Sequence, residues 1–380
     1  MSLSAAIAYR RRAAVSLASS ACLVCIWLLW GSVGQAEEAT ATVQIASTPP
    51  LERIRPNADF AHVTLTVLLS GRPLDQGHIK LRLTAPPRTK VLSTGFPRVE
   101  GTPLLALDSE FRDGIFTLQY VFPIRGSYTL DLEISPVPGG TAFHPTSLRK
   151  TIHISENPIV ARNAWLLIVG LFILGGVTGV IFARSAAARE RLLSRAIVGP
   201  LVLCCGALAA VSTASADGGH TDRAVHAAPG HQVVRGDDGW ELEMHSHPGP
   251  ATVGHLVQLD IWLRKDGAVF PDLTQAALAV ANQEEAQTVL QADILAPQGY
   301  TSQSFQLYDG APHTITVTVR PVGAEVSGVA PLAAVLDLDV VAMHPPLAVQ
   351  IRMMGILLGV LVGGMVVGFL VPWRYKWSTA

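Results

Sequence analysis

The sequence predicts a mainly β protein with transmembrane α-helices: two antiparallel β-sandwiches joined by a transmembrane helical hairpin, with further spans at both ends. Three observations predict it. Two uncharged apolar runs, Ala164–Ala183 and Ala196–Ala216, flank an arginine-rich loop, and each is long enough to cross a hydrocarbon core of roughly 30 Å as a helix. The regions outside this hairpin alternate polar and apolar residues with period two between Gly and Pro turns. Basic clusters at Arg10–Arg12, Arg184–Arg195 and Arg374–Lys376 fall on one side of a four-span chain, the cytoplasmic side, and put both β regions on the other.

Composition agrees with a membrane chain. Of 380 residues 49% are hydrophobic and only 15% charged, against roughly 25% charged in soluble domains. Mean hydropathy is +0.36. The net charge of −1 gives no reason to expect nucleic acid or a strongly acidic partner. Cys22, Cys25, Cys204 and Cys205 all lie in apolar stretches, where they read as small apolar fillers. The β regions, placed outside the cytoplasm, therefore carry no disulfide and rest on their cores.

In chain order, residues 1–36 have a basic start, an apolar run and a small-x-small end at Gly34-Gln35-Ala36. That is a secretory signal peptide or a retained signal anchor. Residues 37–162 form the first sandwich, with strands at His62–Leu69, His78–Leu83, Phe116–Phe122, Tyr128–Ile134 and Lys150–Ile154. A span follows at 163–184, then the cytoplasmic loop 185–195 and a span at 196–216. Residues 217–349 repeat the plan, with strands at Trp240–Met244, His255–Leu263, Thr301–Leu307, His313–Val319 and Val335–Val341. Leu273–Gln291, rich in Ala and Gln, fits a strand pair or a short helix. The last span is 351–372, and the tail 373–380 carries the aromatic and basic residues of an inner membrane surface.

Landmarks recur between the halves. His62–Val67 lines up with His255–Asp260, and Tyr128–Ser135 before Pro136-Val137 with His313–Arg320 before Pro321-Val322. Asn157-Pro158 and His344-Pro345 each precede a span. The chain reads as a fused tandem of two anchored units.

In the second unit Gly239-Trp240 opens a strand, Pro250–Gly254 leads into His255–Leu263, Asp266-Gly267 turns the chain, and Gly299-Tyr300 precedes a late strand followed by His313–Val319. In the first, Gly126–Leu130 (GSYTL) closes the unit. This order resembles the FixH/YtkA-like family of small membrane-anchored, Ig-like extracytoplasmic domains, over about a hundred residues per half. The resemblance implies Ig-like or cupredoxin-like sandwiches and an accessory role in copper handling or in assembly of cytochrome oxidases. The tandem, four-span layout departs from the family's single-domain form. The layout is also similar to the copper-containing subunit of particulate methane monooxygenase, which has two sandwiches joined by a membrane hairpin; its copper-binding pattern and span count differ from this chain.

The candidate metal ligands are Met244, His245, His247, His220, His226 and His231. Residues two apart on a strand face the same way, so His245 and His247 share a face. Pro248 ends the strand here and brings Met244 within reach, giving imidazoles and a thioether, a set that suits copper. His220, His226 and His231 lie in a linker that can close over such a site. The opposing reading is a set of solvated imidazoles at a strand end. Gly355, Gly359 and Gly363 recur every four residues in the last span, as do Gly364 and Gly368, and Gly175 and Gly179 in span two. Such ridges let helices approach closely, within the chain or with other membrane subunits. No phosphate loop, nucleophile elbow or HExxH motif occurs, and no ionisable residue sits mid-span. The sequence thus points to a non-enzymic accessory protein of a bacterial inner membrane, handling copper or docking onto a membrane redox complex, with a metal-free structural subunit as the alternative.

Overall fold

The computed structural model describes residues 40–89, 93–188, 230–322 and 330–377. The leader, the span expected at 196–216, and His220 and His226 lie outside the described residues.

The described chain is mainly β with two long helices. It runs β1 (Ala41–Thr48), β2 (Phe60–Leu69), β3 (Arg72–Pro73), β4 (Gln76–Thr84), β5 (Pro103–Arg112), β6 (Ile115–Val121), β7 (Gly126–Ser135), β8 (Thr146–Ile154) and helix α1 (Pro158–Ala188). The second half runs β9 (His231–Arg235), β10 (Trp240–His247), β11 (Ala251–Thr252), β12 (Leu256–Lys265), β13 (Ala268–Val269), β14 (Thr274–Asn282) and β15 (Gln287–Ala296). It ends with β16 (Tyr300–Gln306), β17 (His313–Pro321), β18 (Leu332–Leu338), β19 (Val340–Val341) and helix α2 (Leu347–Trp377). Leu273–Gln291, open between strand and helix in the sequence, holds β14 and the start of β15. Its period-two alternation decides the matter, burying Ala276, Leu278 and Val280 on one side.

Strand pairing joins the halves into two continuous antiparallel rows. One has the order β9-β10-β12-β16-β5-β4-β7-β8, the other β18-β17-β14-β15-β6-β2-β1. At the seam, β16 of the second half pairs with β5 of the first, and β15 of the second with β6 of the first. The apolar faces of both rows meet in one core that includes Leu65, Leu105, Tyr128, Leu242, Leu278 and Phe305.

The seam is also where buried polar side chains collect. Gln303 is fully buried, and its amide does the work of a strand backbone: Oε1 accepts from Asp108 N at 3.0 Å and Nε2 donates to Asp108 O at 2.7 Å. Ser109 Oγ accepts from Leu295 N at 3.0 Å, and Gln306 Nε2 donates to Thr102 Oγ1 at 3.0 Å. Each bond crosses from one half to the other. Removing one partner strands a buried donor or acceptor, which costs more than the bond contributes.

The two halves repeat one pairing scheme. β1-β2-β6 matches β10-β12-β16, and β8-β7-β4-β5 matches β18-β17-β14-β15. The register corrects one landmark. Phe60 pairs with Val121 as Leu256 pairs with Gln306, and the turns Ser70-Gly71 and Asp266-Gly267 follow directly, so His62 matches Gln258 and not His255. The pairing shifts the two strands three residues from the register the histidines suggest. An odd slip turns a strand over, and it would have set buried Val63 against outward Leu256. Gly114 (φ +69) and Gly299 (φ +62) stand at the same turn before β6 and β16, where a Cβ would come 2.7 Å from the Val67 and Phe270 carbonyls respectively. Tyr128 and His313 also match. Each is buried at the start of its strand and bonds back to the preceding loop, Tyr128 accepting from Ile124 N at 3.0 Å and His313 Nδ1 lying 2.8 Å from Ala311 O.

Both helices are long and apolar enough to cross a membrane, with an 18-residue window of mean hydropathy 2.6 within Pro158–Arg184 and of 2.4 within Leu347–Leu370. α1 starts ahead of its apolar stretch because Asn157 caps it, accepting from Ile159 N at 3.0 Å, with Pro158 in the first turn. The helices run parallel: Phe172 meets Gly364, Gly176 meets Gly364 and Gly368, and Gly179 meets Met365 and Phe369. A Cβ at Gly175, Gly179, Gly364 or Gly368 would overlap the facing backbone, so these glycines set the close approach. Gly355, Gly359 and Gly363 take no part in it; a Cβ there meets nothing within 4 Å.

Gln303→Leu, which removes both bonds to Asp108 at similar volume, is expected to lower the unfolding free energy of the full chain by about 1–3 kcal/mol, and Ser304→Ala on the outer face by less than about 0.5 kcal/mol, as read by denaturant unfolding in detergent. In the helices, Gly179→Leu is expected to lower the melting temperature of the detergent-solubilised chain while Gly359→Leu leaves it unchanged.

Candidate metal centre

The outer faces of β9 and β10 bring three metal-ligating side chains together. Antiparallel pairing sets His231 directly opposite His245, and the pleat puts Glu243, two residues before His245, on the same face. The local sequence allows the edge strand to lie this close. Gly230 precedes His231 and lies against Ser246, where a Cβ would collide with the serine side chain; Gly230 O accepts from Ser246 N at 2.6 Å.

His231, Glu243 and His245 each offer one ligand atom, all within 4.8 Å of one another. His245 Nε2 lies 2.8 Å from Glu243 Oε1 and His231 Nε2 lies 3.5 Å from the same oxygen. The two imidazole centroids are 4.1 Å apart. Among the described residues no other three His, Cys, Asp or Glu side chains are this close. The side chains are partly exposed, 42% for His231, 20% for Glu243 and 31% for His245, so an ion reaches them from solvent without a channel.

The predicted ligands therefore separate. His231 and His245 meet. His247 lies on the same face, but its ring centroid is 6.3 Å from that of His245 and its nitrogens stay outside the cluster. Met244 is removed from the site. It is fully buried in the core beside Leu242, because β10 runs on to His247 and its ladder with β12 keeps the pleat alternating to that end. The proximity of Pro248 does not end the strand early enough to turn the thioether outward. The sequence reading missed Glu243, although the alternation of Trp240–His247 already placed it on the face of His245.

The acid is held ready for a cation. The hydrogen bond with His245, and then Arg264, keep the Glu243 carboxyl below its ordinary 4.5, against the opposing effect of burial. Arg264 Nε donates to Glu243 Oε2 at 2.8 Å. Trp262 packs edge-on against His245 with centroids 5.1 Å apart, and Tyr300 stacks on Trp262 at 5.3 Å. Two imidazole nitrogens and one carboxylate oxygen, with the thioether gone, suit a divalent ion such as copper(II) or zinc better than copper(I).

No protein family and no curated protein matches the sequence. Among solved structures, a DUF4426 family protein from Pseudomonas aeruginosa is 12% identical with a TM-score of 0.21, covering 30% of this chain and 98% of its own. FetP from uropathogenic Escherichia coli is 12% identical with a TM-score of 0.23, covering 31% of this chain and 97% of its own, and a copper-bound FetP variant is 13% identical with a TM-score of 0.22 over 30% and 97%. A Salmonella alpha-2-macroglobulin is 8% identical with a TM-score of 0.22; it covers 83% of this chain, which spans only 16% of that protein. Likeness of this degree assigns no function.

A carboxyl held below its ordinary value stabilises the fold above that value and stops doing so as the pH falls through the lower folded one. The melting temperature of Glu243→Gln is therefore expected to lie below that of the unmutated chain at neutral pH, with the gap closing as the pH falls below 4.5.

Proposed function

We propose that this chain is a membrane-anchored accessory protein whose two Ig-like β-sandwiches stand outside the cytoplasm and bind one copper(II) ion through His231, Glu243 and His245. On this reading the chain crosses the membrane four times, with its arginine-rich loop inside, and serves copper handling or assembly of a membrane redox complex. The FixH/YtkA-like order of turns and strands supports the same role.

One observation carries the metal reading. The scaffold occurs twice and the donors occur once. At the positions of Glu243, His245 and His247 the first half has Gln44, Ala46 and Thr48, on a strand with the same ladder to its neighbour. The fold thus requires none of these donors, and their convergence in the second half asks for another cause. For an N₂O set, copper(II) binds tightest among the common divalent ions.

The test is copper(II) titration of the full chain in detergent, since neither half has its seam covered when alone. The unmutated chain is expected to bind one equivalent. The His231→Ala and His245→Ala variants are expected to lose that binding, and Met244→Leu and His247→Ala to keep it. Absence of stoichiometric binding, or binding indifferent to His231 and His245, would leave a purely structural subunit.

A further inference from the structure

The strand behind the donors is built for them as well. β12 pairs with β10 and directs Trp262 and Arg264 to the same outer face as Glu243 and His245. Arg264 occupies Glu243 Oε2 at 2.8 Å, while Oε1 is turned to the imidazoles, 2.8 Å from His245 and 3.5 Å from His231. The two carboxylate oxygens thus have separate tasks. Trp262 limits the swing of the His245 ring from the side. At the matching positions of the first half, β2 carries Thr66 and Leu68, which hold nothing comparable.

We infer that Arg264 is a positioning residue that selects the metal, an inference that rests on the copper reading above. With Oε2 held by the guanidinium, Glu243 offers one oxygen and cannot chelate through both. An ion satisfied by two nitrogens and one oxygen is accepted. Calcium, which gathers about six to eight oxygens and often takes a carboxylate through both, is refused. The guanidinium charge also offsets that of the carboxylate, so hard cations gain little from simple attraction. Outer partners of this kind orient a ligand, and their loss commonly weakens metal binding by about 10–100-fold.

The experiment uses the full chain in detergent with copper(II), zinc(II) and calcium(II) added separately, and the electron paramagnetic resonance spectrum of the copper form. Arg264→Ala is expected to weaken copper(II) binding by at least about tenfold, to shift the copper spectrum, and to narrow the preference for copper over calcium. Arg264→Lys, which keeps a donor and a charge, is expected to restore most of the affinity and the spectrum. A merely structural arginine would change melting temperature and leave the spectrum and the order of metals alone. If the unmutated chain binds copper and Arg264→Ala binds it with the same affinity, spectrum and metal order, the inference is overturned while the copper site stands. If the unmutated chain binds none, both fail. Should Arg264→Ala lose its β circular dichroism, the neutral Arg264→Gln decides by the same readouts.

Discussion

The pairing of strand edges between the two halves is the constraint on which the rest of the structure depends. An exposed strand edge is an unpaired row of donors and acceptors. Each half presents two such edges at the seam, β5 and β6 in the first and β16 and β15 in the second, and each is covered by the other half. Where the ladder gives out, the amide of Gln303 takes over on Asp108. Side-chain bonds this deep are costly to leave unmet, so they tolerate little change in how the halves sit. The buried faces of both halves accordingly form one core.

This arrangement behaves like a two-fold interface inside one chain, with equivalent elements of the two halves meeting each other in reciprocal fashion. The helices follow suit, running parallel and touching backbone to backbone where glycines allow it. Symmetry of scaffold does not extend to chemistry. Among the described residues, only the second half has an edge strand, β9, laid on β10 with His231 across from His245, and only there does the neighbouring strand supply an arginine and a tryptophan behind the donors. A duplicated frame lets one copy keep the fold while the other changes its surface, because outward positions of a strand are free of core packing.

Much of the fold was legible. Alternation identifies most of the strands, since a half-buried strand must alternate, though not β1 or the seam strand β5, and the apolar runs at Trp165 and Met353 announce α1 and α2. The pairing register was less legible. Alternation repeats every two residues and does not by itself fix which turn belongs with which; the histidines suggest matching His62 to His255, whereas the Gly71 and Gly267 turns place His62 at the position of Gln258. Of the site, the paired faces of His245 and His247 were visible, whereas Glu243 was overlooked and Met244 was put on the wrong side of the strand.

What the sequence determined alone is local: where strands and apolar helices form, which side chains share a face, and that the plan occurs twice. Those follow from periodicity within one segment. What the tertiary structure decided is everything that needs two segments at once. That includes the exchange of edges at the seam, the choice of Gly364 and Gly368 over Gly355 and Gly359 for the helix contact, and the meeting of His231 with Glu243 and His245. These residues are brought together by hydrogen-bonded pairing and backbone approach across chain distances on which no single period carries information.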